Sequence, residues 1–158
     1  MKKQNIILLL TILLTVKATI AQVTLSVMQD AKMALVGEDV RNSVLDINIL
    51  LTFKSEEGIT AGLSYEYSDL INNYSSIFMF YGYSIEPLDK VITSVSIGYG
   101  LIARNGLGSW SYQSDLKLSY MLSKSIGVTS SLQITRRRDL EIPKFITSGF
   151  IGVDFVIF

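Results

Sequence analysis

The chain has 158 residues, which is enough for one domain but not for two. Its 14 basic and 14 acidic side chains balance, so the strongly basic composition of a nucleic-acid-binding protein is missing. The sequence contains no cysteine and no histidine, which excludes disulfides, sites built on those metal ligands, and Ser-His or Cys-His catalytic arrangements. We therefore predict a protein that is not an enzyme and that binds no cofactor, metal or nucleic acid.

The first 21 residues have the order of a secretory signal peptide. Lys2 and Lys3 precede an apolar stretch over residues 6–16, and Lys17 is followed by a short run that ends at Ala21. A transmembrane helix needs about 20 apolar residues, and this stretch is shorter. The sequence thus predicts cleavage after Ala21, with residues 1–21 as signal peptide and residues 22–158 as a mildly acidic mature domain.

The rest of the chain consists of segments of about ten residues in which apolar and polar side chains alternate, separated by glycine, asparagine and proline. This pattern predicts an all-β chain of eight strands. The predicted strands cover residues 23–36, 43–54, 59–68, 74–86, 91–103, 110–122, 126–137 and 146–157.

The alternation separates an apolar face from a polar face. In the sixth predicted strand Trp110, Tyr112 and Leu116 share one face, whereas Gln113 and Asp115 share the other. A soluble sheet with one solvated face would alternate in the same way. The strands are, however, as long as the roughly 9 to 11 residues that a tilted strand needs to cross a bilayer. Aromatic residues also gather toward the strand ends, as in the girdles of membrane barrels. They are Tyr65, Tyr67, Tyr99, Trp110 and Tyr112 at one end, and Phe53, Tyr120, Phe155 and Phe158 at the other.

An even number of strands places both ends of the mature chain on the periplasmic side, where an exported chain begins. The connections at 55–58, 87–90 and 123–125 are then periplasmic, and those at 37–42, 69–73, 104–109 and 139–145 face outward. The sequence therefore predicts an all-β fold, an eight-stranded antiparallel up-and-down transmembrane β-barrel, in the outer membrane of a Gram-negative bacterium.

Over residues 22–158 this pattern resembles the small eight-stranded outer-membrane barrels, the OmpA-like and OmpX-like group. Phe158 is similar to the C-terminal signal that the outer-membrane barrel insertion machinery reads in such proteins, which implies that machinery as a partner. The alternation departs from that signal, because Val156 and Asp154 share the parity of Phe158 while the apolar Phe155 and Val153 lie on the other parity.

The interior of an eight-stranded barrel has room only for side chains and scattered water. Charged side chains fall on the polar parity, and buried charges must pair or stay hydrated. We expect a charge network that plugs the lumen, with an ion path as the alternative. Its predicted members are Asp46, Glu66, Asp115, Lys117, Arg137 and Asp154, with Asp30 and Lys32 on the same parity.

The outward end of the seventh strand carries Arg136 and Arg138, with Lys144 across the loop. Both arginines are predicted to face lipid at the depth of the headgroups. Guanidinium groups bind phosphates in a bidentate manner, so these three residues predict contacts with outer-membrane lipid and lipopolysaccharide. A basic rim that is merely solvated is the alternative.

These features favour a structural or envelope-interaction barrel. One alternative is a narrow channel, which would require hydrated lumen charges, and another is a secreted soluble barrel that binds a small apolar ligand as lipocalins do. The facing of the strand at 74–86 is open, because Phe78 and Phe80 oppose the equally apolar Met79 and Tyr81. The sequence does not determine the oligomeric state.

Overall fold

The computed structural model describes residues 20–32, 46–68, 74–104, 106–140 and 142–158, with the side chains of residues 20 and 21 excepted. Within these ranges the chain forms eight strands. They are β1 (Ile20–Asp30), β2 (Asp46–Ser55), β3 (Ile59–Ser68), β4 (Tyr74–Leu88), β5 (Val91–Arg104), β6 (Leu107–Met121), β7 (Ile126–Arg137) and β8 (Lys144–Val156). No helix in these ranges is long and apolar enough to span a membrane. Residues 1–19 lie outside the described residues, so the signal peptide and its cleavage after Ala21 stay predictions.

The strands form a closed barrel. Each strand pairs antiparallel with the next in chain order, and β1 also pairs with β8. Two backbone hydrogen bonds continue this closure beyond β8, from Val23 N to the Phe158 carbonyl oxygen and from Ile157 N to the Val23 carbonyl oxygen, each at 2.8 Å. The predicted all-β class, the strand number and the up-and-down connectivity are confirmed. We call the end at which β1 and β2, β3 and β4, β5 and β6, and β7 and β8 are connected the upper end, and the opposite end the lower end.

Side chains alternate between the barrel interior and its outer surface, as β7 illustrates. Leu132 and Ile134 are 48% and 40% exposed on the outer surface, whereas Gln133 and Thr129 are buried inside. Large apolar side chains occupy the outward positions of the other strands as well. The apolar face therefore lies outside, which is the reverse of a soluble barrel and the arrangement of a membrane barrel.

The structure settles the facing of β4. Phe78 is completely buried, and Phe80 points inward and packs against an interior apolar cluster. Met79 and Tyr81 lie on the outer surface, 62% and 59% exposed. Both faces of this strand are apolar for different reasons. The outward residues face the surroundings of the barrel, and the inward residues pack large rings into the barrel interior.

Glycines on the neighbouring strands make room for these two rings. Gly100 pairs with Phe78, and Gly62 and Gly98 pair with Phe80 from its two sides. A Cβ atom on Gly62 would lie 2.7 Å from Cζ of Phe80, which is closer than a close-packed interior allows. The interior can therefore hold phenylalanine rings at positions where other strands place small polar side chains.

The end of β1 differs from the prediction. β3 and β7 have the predicted bounds, but β1 ends at Asp30 and is followed by a helical turn at Ala31 and Lys32. The predicted strand 23–36 is therefore wrong at these two residues, and residues 33–36 lie outside the described residues. Alanine and lysine favour helix over strand, which explains the early end.

The predicted connection at 87–90 begins slightly later in the structure. β4 continues to Leu88, and the chain turns at Asp89 and Lys90, which has a positive φ of 65°. The register of β4 and β5 shifts between Ile85 and Leu88, so Pro87 lies at an irregularity. A proline fits there because it has no N–H to give to a regular ladder.

The remaining strand bounds shift at tight turns. β5 extends to Arg104 and β6 begins at Leu107, because Gly106 adopts a φ of 78° and allows a short connection. β8 ends at Val156, so Phe158 follows the strand and its parity does not define a face. β2 begins at Asp46, and the predicted start at 43–45 falls outside the described residues.

Candidate functional site

An ion pair crosses the lower part of the interior. Lys117 Nζ on β6 lies 3.0 Å from Asp154 Oδ1 on β8. Lys117 also donates a hydrogen bond to Ser26 Oγ at 2.6 Å, and Ser119 Oγ donates one to Asp154 Oδ2 at 2.6 Å. Both members of the pair belong to the predicted lumen charges, and the structure brings them together across β7.

Asp115 and Asp46 are held by smaller polar groups. Ser131 Oγ lies 2.6 and 2.9 Å from the two carboxylate oxygens of Asp115. Asp46 is buried opposite Ser68 of β3, and its Oδ1 has no hydrogen-bond partner among the described residues. Neither carboxylate forms a salt bridge within the described ranges.

Glu66 belongs to a polar chain in the upper part of the interior. Tyr74 Oη donates to Glu66 Oε2 at 3.3 Å, and Gln133 Nε2 lies 3.4 Å from the same oxygen. Asn48 Nδ2 donates to Gln133 Oε1 at 3.0 Å, and Gln133 Nε2 donates to Thr135 Oγ1 at 3.1 Å. Side chains of β2, β3, β4 and β7 are thereby linked across the barrel.

A second set of ion pairs, the upper ion cluster, consists of Arg104, Arg137 and Asp139. Arg137 holds Asp139 in a bidentate manner, with Nε to Oδ1 at 2.7 Å and a terminal nitrogen to Oδ2 at 2.6 Å. Arg104 lies 3.8 Å from the same Oδ2. The guanidinium of Arg137 also lies 4.1 Å from the ring centre of Tyr74. The cluster ties the segment after β7 to β5 and β4.

Asp139 lies beyond the strands, and these arginines lower the pKa of its carboxyl. Partial burial alone would raise the pKa of its carboxyl. The hydrogen bonds and positive charge of Arg137, together with Arg104, outweigh burial and hold the pKa of Asp139 below its ordinary value. The sequence prediction treated Asp139 only as a turn residue. Its spacing of two from Arg137 is the signal that would have found it, since alternate residues of an extended chain face the same side.

Apolar side chains fill much of the interior between these polar groups. One cluster contains Met28, Leu50 and Phe150, with Phe80 packed against it. A second contains Tyr74, Phe78 and Ile102. The sequence prediction named only charged members of the lumen and missed these residues. For Phe78 and Phe80, the room for the ring comes from glycines on the neighbouring strands.

The six predicted lumen charges all occupy inward-facing positions, but they fall into separate groups. Lys117 pairs with Asp154, and Arg137 pairs with Asp139. The remaining predicted members, Asp46, Glu66 and Asp115, are all acidic, and none of them forms a salt bridge within the described part of the chain. In that part no group of three or more acidic side chains is placed to hold a metal ion.

The arginines predicted to contact lipopolysaccharide lie on the outer surface of the upper rim. Arg136 stacks over the ring of Phe145 at 5.8 Å from its centre, and Arg138 over the ring of Tyr112 at 5.7 Å. Lys144 pairs with Arg137 in the β7–β8 register and is exposed at the barrel mouth. The structure thus brings Arg136 and Arg138 to one face and places Lys144 on the other parity.

An apolar groove crosses the outer surface below these arginines. Its volume is about 650 Å³, and we call it the outer groove. Tyr99, Tyr112, Ile134 and Phe145 line it together with Ser114, which pairs with Ile134. The groove exists because a serine side chain occupies an outward position among these larger ones. The sequence prediction did not include it, since its walls come from five strands.

Comparisons with known proteins identify the fold. No protein-family model matches the sequence, and no curated protein sequence matches it. Among solved structures, the outer membrane protein Ail of Yersinia pestis, determined in a phospholipid bilayer nanodisc, matches with a TM-score of 0.60 and 8% sequence identity over 86% of this chain and 99% of that one. A transmembrane β-barrel from de novo design matches with a TM-score of 0.59 and 9% identity over 86% and 93% of the two chains. At such identities the similarity shows the fold alone, which is that of the eight-stranded transmembrane β-barrels.

Proposed function

We propose that the protein is a non-enzymatic β-barrel of the outer membrane of a Gram-negative bacterium, with a structural or envelope-interaction role. The observation that carries this proposal is the apolar outer surface. Ile97, Met79 and Leu118 are each at least half exposed at outward positions of different strands. Soluble monomers rarely expose contiguous apolar surface of more than a few hundred Å². A closed barrel, which satisfies its backbone hydrogen bonds internally, can place such a surface in lipid.

The packing of the interior supports a closed lumen. Phe78, Ile102 and Phe150 are buried in the two apolar clusters, so large apolar side chains occupy much of the described interior. The interior cavity around Lys117 and Asp154 measures about 30 Å³, room for about two water molecules. A continuous ion path needs a hydrated passage, so we favour a plugged lumen over the narrow channel.

A heat-modifiability assay on isolated outer membranes tests this proposal. The full gene is expressed in a Gram-negative host, and gel mobility is compared with and without boiling. We expect a membrane-embedded, N-terminally processed chain whose mobility changes on boiling. A soluble product without that change would overturn the membrane assignment and support the lipocalin-like ligand-binding barrel.

Planar bilayer recordings then distinguish a plugged lumen from a narrow channel. The purified barrel is expected to show no steady single-channel current above the empty bilayer. The matched variant is Phe78→Ala, which removes a ring from the middle of the interior without changing a charge. Steady current from the unmodified protein would favour the narrow channel.

Two partners follow from the proposed location. The barrel insertion machinery would assemble the chain, as Phe158 predicts by its resemblance to an assembly signal. Outer-membrane lipid, including lipopolysaccharide, would surround the upper rim with Arg136, Arg138 and Lys144. Salt or divalent cations would weaken such contacts, because both compete for the phosphates.

A further inference from the structure

The outer groove and the two rim arginines share side chains. Tyr112 and Phe145 line the groove, and the same two rings support Arg138 and Arg136 at 5.7 and 5.8 Å. One continuous surface on β6, β7 and β8 therefore offers an apolar cleft bordered by two guanidinium groups. A cation–π contact holds the guanidinium in place. The positive charge can still attract an external anion.

Arg136 and Arg138 differ from the two arginines at the barrel mouth in their contacts with carboxylates. Arg104 and Arg137 are paired with Asp139. Within the described part of the chain, Arg136 and Arg138 form no ion pair. Their charge is thus available to a ligand, and guanidinium groups match the oxygens of phosphate.

The shape and charge of this surface define one ligand chemistry. A volume of about 650 Å³ lies within the range of about 300 to 1,000 Å³ that is usual for small-molecule sites. An apolar cleft takes an acyl chain, and the two arginines that border it take phosphate oxygens. We propose that the outer groove with Arg136 and Arg138 binds the phosphorylated lipid A of lipopolysaccharide, with an acyl chain in the groove and a phosphate on the arginines. This inference rests on the proposed location, since the upper end then faces the outer leaflet.

The test measures binding of lipid A to the full barrel folded in phosphatidylcholine nanodiscs. Native mass spectrometry counts the bound lipid as diphosphorylated or dephosphorylated lipid A is titrated. We expect one tightly bound diphosphorylated lipid A per barrel. The double variant R136Q/R138Q should weaken its binding by about tenfold or more, because each lost charge-assisted contact is strong. Dephosphorylated lipid A should bind the unmodified barrel about as weakly.

The groove itself is tested by Ser114→Trp, which fills it without changing a charge. We expect this variant to weaken lipid A binding as well. The matched controls are Ser130→Trp, an exposed outward serine of β7 outside the groove, and Lys124→Gln, an exposed cation at the lower end of the barrel. Both controls should bind lipid A like the unmodified protein.

Three results would overturn the proposal. The first is an equal loss of binding in K124Q and in R136Q/R138Q, which would indicate a generic attraction of the lipid to any exposed cation of the barrel. The second is equal binding of phosphorylated and dephosphorylated lipid A. The third is undiminished binding by a folded S114W. Heat-modifiable mobility checks the folding of every variant, and the phosphate comparison on the unmodified barrel needs no variant. If the unmodified chain forms no heat-modifiable barrel in lipid, the proposed function fails and not this site alone.

Discussion

Replacement of Leu132 by arginine tests whether the outer surface lies in a membrane. Leu132 points outward and is 48% exposed. It lies six residues after the start of β7 at Ile126 and five before the end at Arg137. At about 3.3 Å per residue and a tilt of about 40°, these steps place it about 15 Å from the lower end and about 13 Å from the upper end of the strand. Leu132 would therefore lie near the middle of the apolar layer.

The expected cost depends on depth. An arginine on the lipid-facing side of a barrel costs about 2 to 4 kcal/mol at the bilayer midplane and about 0 to 1 kcal/mol near the interface. We expect Leu132→Arg to lower the free energy of unfolding by the larger amount. The matched control is Ile126→Arg, since Ile126 begins β7 at the lower end, shares the outward parity of Leu132 and is 43% exposed. Its cost should be at the lower limit.

Reversible urea unfolding in phosphatidylcholine vesicles measures both values. Trp110 is the single tryptophan of the chain and lies on the outer surface, so its fluorescence reports on transfer from lipid to water. Equal costs for the two variants, or a cost below about 0.5 kcal/mol for Leu132→Arg, would refute the reasoning. A surface in water accepts arginine in place of an exposed aliphatic side chain at either position.

Three further predictions use the same unfolding measurement. Phe78→Ala should cost about 3 to 5 kcal/mol because it opens a cavity in a packed interior; a cost below about 1 kcal/mol would mean that water already surrounds the ring. Lys117→Ala should cost about 3 to 5 kcal/mol, since it leaves Asp154 buried without its cation. The double variant K117A/D154N should recover part of that loss, and equal losses in both would show that the ion pair is not the cause. The lowered pKa of Asp139 stabilises the folded state fully above the unfolded carboxyl's pKa, and this contribution should disappear as the pH falls through the lower folded value. Asp139→Asn should show a smaller loss of stability on acidification than the unmodified protein, and parallel losses would assign the pH dependence to other groups.

The strand pattern was predictable where the alternation ends at clear turn residues. β3 and β7 have their predicted bounds, since turn chemistry at Gly58 and at residues 123–125 stops the pattern. The end of β1 was not predictable from the sequence. Asp30 and Lys32 continue the alternation of apolar and polar residues, but the backbone leaves the strand conformation after Asp30. The facing of β4 was open for a different reason. It depends on Gly62 and Gly100, which lie on other strands, and a local pattern does not contain that pairing.

The inward positions of the charged side chains were also predictable, because parity alone determines them. The ion-pair partners of these side chains were not predictable. Lys117 meets Asp154 across an intervening strand, and that meeting depends on the stagger of β6, β7 and β8. The outer groove depends in the same way on which side chains become neighbours of Ser114. Both features require the register of several strands at once, which the alternation within one strand does not specify.

The pairing of β1 with β8 also orders the events of folding. β1 receives its second neighbour only when residues 150–156 are present, although its own residues are made first. Until then the sheet has two open edges, whose unsatisfied backbone groups are costly in hydrocarbon and prone to pair with other chains in water. The first strands therefore gain nothing by entering the bilayer ahead of the last. In the proposed outer-membrane location the chain would cross the aqueous compartment unfolded and as a whole, and its insertion would be a single cooperative step.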